Sequence, residues 1–201
     1  MIGGGLLGGG EGALYDRIIA TCAVQTVPRA WLEQIRPGGQ ILTTIGGWLS
    51  ASELVRLTVH EDGTASGPVL GGQVRFMLAR PYLTLPLGLL PDLGRGRECG
   101  AVIGPDVLDD WTSRFVAQVA VPNTQRLKLR RDQHDEDLLV DVETGSFGAL
   151  HKENGHWSVR NDGPDLLWDA VEEHLGRWHT AGTPAVEEAT VHVTPEGQSI
   201  H

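Results

Sequence analysis

Three groupings of side chains in this sequence have types and spacings that could do chemistry. Gly3-Gly4-Gly5-Leu6-Leu7-Gly8 satisfies the pattern G-x-G-x-x-G. That pattern cradles a dinucleotide or S-adenosylmethionine when a buried strand enters it and a helix leaves it with its first amides facing the ligand. Only Met1 and Ile2 precede these glycines, and the following GEGALYDRIIATCAV reads as turn and then strand. Without its flanking elements the pattern is read as a decoy. Cys22 is the second grouping, placed where a strand ends, at the edge that lines the ligand crevice of open α/β sheets. As a nucleophile it would need a base, and no histidine follows before His60, so the alternative is a small apolar filler. Asp16, at the entering end of the same strand, is read as a local cap or pairing partner.

The third grouping is the eight histidines, at 60, 134, 151, 156, 174, 179, 192 and 201, which show neither H-x-x-x-H nor H-E-x-x-H. His174 and His179 share a helical stretch, but five residues place them about 140° apart around it. No metal centre is expected. Trp157, Trp168 and Trp178 could face an aromatic or cationic ligand, or fill a core, and core packing is the expectation. No Walker A, G-x-S-x-G or spaced Ser/His/Asp set occurs.

Composition narrows the classes. The 201 residues are 40% hydrophobic, enough for one large or two small domains with real cores. A net charge of −10 opposes a nucleic-acid backbone or an anionic membrane as partner. Two distant cysteines, Cys22 and Cys99, make neither a disulfide framework nor a zinc site. With no signal-peptide pattern and no apolar run of spanning length, a reduced cytoplasmic compartment is expected.

Elements must hold these residues in place. Leu14 to Cys22 has a β-branched centre with apolar neighbours on both faces, as in a strand buried within a parallel sheet. Pro28 opens a short amphipathic helix through Ala30, Trp31, Leu32 and Ile35, with Gly38-Gly39 as its stop. Gln40 to Ile45 follows as a strand, so residues 14–45 form a strand-helix-strand unit with a parallel pair. Glu53 to His60, a turn at Glu61–Thr64 and Gln73 to Ala79 then predict an antiparallel pair.

Pro81, Pro86 and Pro91 among Gly88, Gly94, Gly96 and Gly100 predict a linker without long regular elements. The expected organisation is therefore 1–82, a linker over 83–105, and a small α+β unit over 106–201. In that unit Trp111 to Val121 is apolar with mixed period, Gln125 to Arg131 is a basic strand-like run, and Asp132 to Asp137 is a solvated acidic loop. Leu138 to Val142 and Trp157 to Arg160 read as strands. The best helix is PDLLWDAVEEHLGRWH, with Leu167, Ala170, Val171, Leu175 and Trp178 on one stripe. A last strand spans Ala189 to Val193.

The ordered set Tyr15-Asp16-Arg17-Ile18, Ala20 to Ala23, Val27-Pro28-Arg29-Ala30-Trp31 and Arg36-Pro37-Gly38-Gly39-Gln40-Ile41 resembles the middle of the protein-L-isoaspartate O-methyltransferase family. The resemblance runs on to the stretch Val74 to Arg80. The second half, through FGALHKENGHWSVRNDGPDLLWDAVEEHLGRWHTAG and the final VTPEGQ, resembles extended actinobacterial members found beside ATP-grasp or lanthipeptide peptide-maturation systems.

The resemblance implies an α/β fold: the C-terminal half of a class I, Rossmann-like methyltransferase sheet followed by a small α+β extension. It implies S-adenosylmethionine as cofactor and an aspartyl or isoaspartyl residue of a protein or ribosomal precursor peptide as the methylated group. The opening glycines align with a later Gly-Asp-Gly turn of the family whose Asp contacts adenine; Gly4 stands at that position here. By the same resemblance Gly4, Gly5 and Leu6 would touch the cofactor, and Thr21, Cys22, Ala23, Val24 and Gln25 would form the floor of the substrate crevice. The family's glycine loop, ribose-binding acidic residue and substrate-binding Ser/Thr segment would all lie before residue 1. The expectations are therefore a truncated methyltransferase that binds its cofactor poorly or, alternatively, a non-catalytic peptide-binding fragment. In either case the first strand would have an uncovered edge open to self-association.

Overall fold

The computed structural model describes residues 5–9, 12, 14–131 and 134–201. In chain order the elements begin with a 3-10 turn at Gly5–Leu7, β1 (Tyr15–Val24), α1 (Arg29–Glu33), β2 (Ile35–Gly46), β3 (Ser52–Val59), β4 (Ala65–Gly71) and β5 (Arg97–Ala101). They continue with α2 (Trp111–Ala120), β6 (Gln125–Arg131), β7 (His134–Val140), β8 (Phe147–Glu153), β9 (His156–Asp162), α3 (Leu167–Thr180), β10 (Thr190–Thr194) and β11 (Gly197–Ile200). The mixed α/β chain divides into two compact units. The first comprises 1–46, 52–82 and 184–201, and the second 47–51 and 83–183.

The first unit is a six-stranded sheet in the order β1-β2-β3-β4-β10-β11. The β1–β2 pair is parallel, as the strand-helix-strand reading requires, with Ile18 opposite Ile41 and Val24 opposite Ile45. All other pairs are antiparallel. Ile41, Val55, Leu57, Val69, Val191 and Val193 build its core with Trp31 and Leu32 of α1.

Several expectations change here. Strand β2 starts at Ile35, so Arg36-Pro37-Gly38-Gly39 lies within the strand and does not stop a helix. Between Tyr15↔Ile35 and Arg17↔Gln40 the register slips, and Gly38, at φ +78°, takes the left-handed turn that a bulge of this kind needs. The strand beside β3 is Ala65–Gly71, whereas 73–79 makes one isolated bridge, Leu78 to Ala23. The register itself shows why Ala65–Gly71 wins: Val69 and Ala65 fall opposite Val55 and Val59 and all four are buried, whereas Phe76 and Met77 stay exposed. Strand β1 is an edge strand among the described residues, with Ile18, Ala20 and Cys22 half-buried while Ile19 is 71% exposed. Its sequence has the apolar pattern of a strand buried on both faces, but among the described residues Ile19 on one face stays exposed.

The placement of residues 184–201 in the second-half unit is also corrected. Strand β10 pairs with β4, Val191 opposite Gly67 and Val193 opposite Ala65, and both valines enter the first core. The alternation of Thr190–Thr194 announces a strand, but its partner lies far away in sequence and only tertiary burial selects it.

The second unit is a five-stranded antiparallel sheet, β5-β9-β8-β7-β6. Strand β5 falls inside the expected linker and forms an edge of this sheet, with Cys99 opposite Val159. Leu139, Leu150 and Val159 pack in one cluster with Trp168, Val171 and Leu175 of α3 and with Leu108 of the 3-10 turn Pro105–Asp109, all four of which are fully buried. Leu138, Val140, Phe147 and Ala149 form a second cluster on the other face with Leu93. Trp168 is a core residue, as expected. The acidic run is strand rather than loop from His134 onward; Asp132 and Gln133 lie outside the described residues. Its charges find partners across the hairpin, Asp137 with Arg126 at 2.6 Å and Glu136 with Arg131 at 3.0 Å, which lets a charged sequence pair as a ladder.

Candidate functional site

A concavity of the first unit runs along the free edge of β1, with a volume of about 1010 Å³. Leu6 and Leu7 of the opening turn form one wall, Tyr15, Ile18 and Ala20 of β1 another, and Trp31 of α1 the base. Arg80 and Pro81 close the remaining side, and Arg80 is the single formal charge among the described lining residues.

Two side chains hold the opening turn in place. The Trp31 indole N–H donates to the Gly5 carbonyl at 2.8 Å. The Gln34 carboxamide accepts from the Gly9 N–H at 2.8 Å and donates to the Leu7 carbonyl at 3.2 Å. The glycine-rich segment is thus a wall of the cleft, pinned by α1 and the residue that ends it. Among the described residues no helix follows the glycines before β1, which is why the phosphate-loop pattern has no amide cradle behind it.

The residues singled out from sequence separate into two groups. Gly5 and Leu6 line the cleft, and Thr21 and Cys22 reach it from β1. Gly4 lies outside the described residues. Ala23 and Val24 are buried and belong to the core rather than to the cleft lining. The Ala23 N–H donates to the Met77 carbonyl at 2.9 Å, and its own carbonyl accepts from the Ala79 N–H at 2.8 Å. Gln25 is tied by its carbonyl to the Gln198 side chain at 3.3 Å, and that side chain also accepts from the Val27 N–H at 3.1 Å. The exit of β1 is therefore closed over by residues 77–79 and by β11, a covering that local pattern does not signal.

Cys22 is half-buried, and no histidine is among the described residues that line the cleft. Asp16 pairs with Arg36 at 2.9 Å across the β1–β2 pair, with both side chains more than half exposed, as a local partner would. Sequence reading missed Tyr15, Trp31, Gln34 and Arg80 as cleft residues. The signal available was the aromatic pair flanking β1 and α1 and the polar residue directly after α1.

The cleft offers apolar and aromatic surface, backbone polar groups and one cation at its rim. Such a lining accepts a flat apolar group and pairs with an anion. Among the described lining residues there is no carboxylate to accept hydrogen bonds from a diol.

Residues 1–78 match the family model of protein-L-isoaspartate(D-aspartate) O-methyltransferase. A protein-L-isoaspartate O-methyltransferase 1 from Cupriavidus necator is 35% identical over 65 residues, 32% of this chain and 25% of that protein. A protein-L-isoaspartate O-methyltransferase from Methanosarcina mazei is 42% identical over 52 residues, 26% of this chain and 20% of that protein. The match thus spans about a quarter or less of those curated relatives. A solved protein-L-isoaspartate O-methyltransferase overlaps 98% of this chain and 57% of its own length at 19% identity and a TM-score of 0.45, a likeness too slight to build on. Among the described residues no helix is long and apolar enough to cross a membrane. The similarity carried by residues 1–78, which include β1, α1 and most of the residues lining the cleft, is to the protein-L-isoaspartate O-methyltransferase family.

Proposed function

We propose that the first unit serves an S-adenosylmethionine-dependent carboxyl O-methyltransferase of the isoaspartate type, acting in the cytoplasm on an aspartyl or isoaspartyl residue of a protein or precursor peptide. One observation carries the proposal: the segment similar to that family, residues 1–78, supplies most of the residues that line the cleft, Ala79 to Pro81 following directly after it.

The residues present suit part of such a cofactor. Leu6, Tyr15 and Trp31 supply flat apolar surface for an adenine ring, and the Gly5–Leu7 backbone lies beside it. The described lining has no acidic side chain for the ribose hydroxyls, so the affinity of this chain is weak. When bound, the cofactor supplies an electrophilic sulfonium methyl group. The protein's task is then orientation of a carboxylate oxygen in line with that methyl, with little acid-base chemistry required. Arg80 at the rim is the lining residue that can pair with the incoming carboxylate.

Titration of the labelled chain with S-adenosylhomocysteine, followed by amide NMR, tests this reading. Saturable shifts at Leu6, Tyr15 and Ile18 are expected with a Kd of roughly a millimolar, about −4 kcal/mol. Shifts confined to other residues, or none at several times that concentration, defeat it. Self-association of two chains along the free edge of β1 belongs to the same proposal, since among the described residues no strand pairs with that edge beside exposed Ile19.

A further inference from the structure

The second sheet carries a polar cluster remote in sequence from the family-like segment. Strand alternation puts Phe147, Ala149, His151 and Glu153 of β8 on one face. The register brings neighbours to that face: Arg160 lies opposite Ala149, Glu98 opposite Arg160, and Leu138, two residues from Glu136, opposite Ala149. One end of the face is dry, with Leu138, Phe147 and Ala149 buried together. The other end opens into a cavity of about 360 Å³ lined by Glu98, Glu136, His151 and Glu153, with Arg131, Lys152 and Arg160 beside them.

Donor atoms converge there. One oxygen each from Glu98 and Glu153 and one ring nitrogen of His151 all lie within 4.8 Å of one another. His151 Nε2 stands 3.0 Å from Glu98 Oε1. Two ligand atoms held about 2.1 Å from one ion at 90° to 109° are about 3.0 to 3.4 Å apart, so this pair already has a ligand pair's spacing.

A second observation points to a ligand. Glu136 lines the same cavity with its side chain 7% exposed; Arg131 donates to its Oε1 at 3.0 Å, and its Oε2 is buried with no hydrogen-bond partner among the described residues. A buried carboxylate oxygen left unpaired is costly, and positive charge bound in the cavity that Glu136 lines offsets that cost. His151 Nδ1 is likewise buried with no hydrogen-bond partner among the described residues. Arg160 engages Glu98 through Oε2 at 3.4 Å, on the oxygen other than the one facing His151.

We infer that Glu98, His151 and Glu153 form a binding site for a divalent first-row transition cation, in the cavity that the buried Glu136 also lines. One imidazole with several carboxylates suits Zn²⁺ or Mn²⁺ better than Mg²⁺ or Ca²⁺, which favour all-oxygen shells. The sequence shows no ligand spacing because the donors come from different strands and are assembled by sheet register.

Calorimetric titration of the metal-stripped full chain with Zn²⁺ in a non-chelating buffer, with histidine-ring NMR in parallel, tests the site. The expected result is one Zn²⁺ per chain at micromolar Kd, a ring shift at His151, and no competition from equimolar Mg²⁺. His151→Gln should abolish that uptake. Glu153→Gln, at an exposed position where folding is not at risk, should weaken it about tenfold or more. A thermal melt of each variant without metal reports folding, and a Zn²⁺-induced rise in Tm should appear in the unmodified chain and shrink in Glu153→Gln. The inference is overturned by no stoichiometric uptake at roughly 100 µM Zn²⁺, about −5 kcal/mol. Uptake unchanged in both variants overturns it too, as do ring shifts at His192 and His201 in place of His151.

Discussion

The carboxamide of Gln118 holds both backbone polar groups of Ala51: it accepts from the Ala51 N–H at 3.3 Å and donates to the Ala51 carbonyl at 2.8 Å. Gln118 is 3% exposed on α2 and Ala51 is 1% exposed, so neither backbone group can turn to water. Gln118→Leu keeps the volume and strands a buried donor and acceptor. A loss of about 2 to 4 kcal/mol is expected in urea unfolding of the full chain. A loss below about half a kcal/mol would show that the pair contributes little.

Asp110 caps α2, its carboxylate accepting from the Ser113 N–H at 2.8 Å and from the Ser113 hydroxyl at 2.9 Å. The Ser113 amide, above all, holds this carboxyl below the usual aspartate range. Because the folded value is lowered, the cap's contribution is complete above the unfolded pKa of about 3.9 and is lost as pH falls through the folded value. Asp110→Ala should cost about 1 kcal/mol at pH 7 and less at pH 2 to 3. Asp110→Asn should keep most of the cap and show a flatter stability profile over that acid range. Equal losses for Asp110→Ala at both pH values would refute the assignment.

Gly67 of β4 sits where a Cβ would come within 2.0 Å of the Arg56 carbonyl oxygen on β3. That atom is backbone and cannot move aside without breaking the β3–β4 ladder. Gly67→Ala should destabilise the first unit by about 2 kcal/mol or more. Gly197→Ala, in β11 where a methyl group would meet nothing within 4 Å, is the matched control and should be near neutral. Similar unfolding midpoints for the two variants would contradict the close approach.

Ile19, 71% exposed on the edge strand β1, is the position where a lysine should block edge-to-edge pairing at little cost to the fold. Sedimentation velocity on Ile19→Lys should give a single monomeric species at concentrations where the unmodified chain associates. Identical sedimentation of the two proteins across a wide concentration range would remove the edge as the seam.

Local pattern in the sequence determined a good part of this protein. The β-branched centre of Tyr15–Val24, the Pro28 entry to α1 and the run through Ile41 to Ile45 announced a parallel strand-helix-strand unit, and periodicity announced α3. Residues 1–78 also carried the family resemblance. Those signals are legible because each reflects the repeat of one element, about 2 residues for a strand and about 3.6 for a helix. Only tertiary structure decided which strand pairs with which. It placed β10 on β4 instead of in the second unit, and drew 77–79 and Gln198 over Ala23 to Gln25. It also gathered Glu98, Glu136, His151 and Glu153 around one cavity. Strand pairing joins residues far apart in sequence through the total burial that a register achieves, and no local repeat encodes that sum.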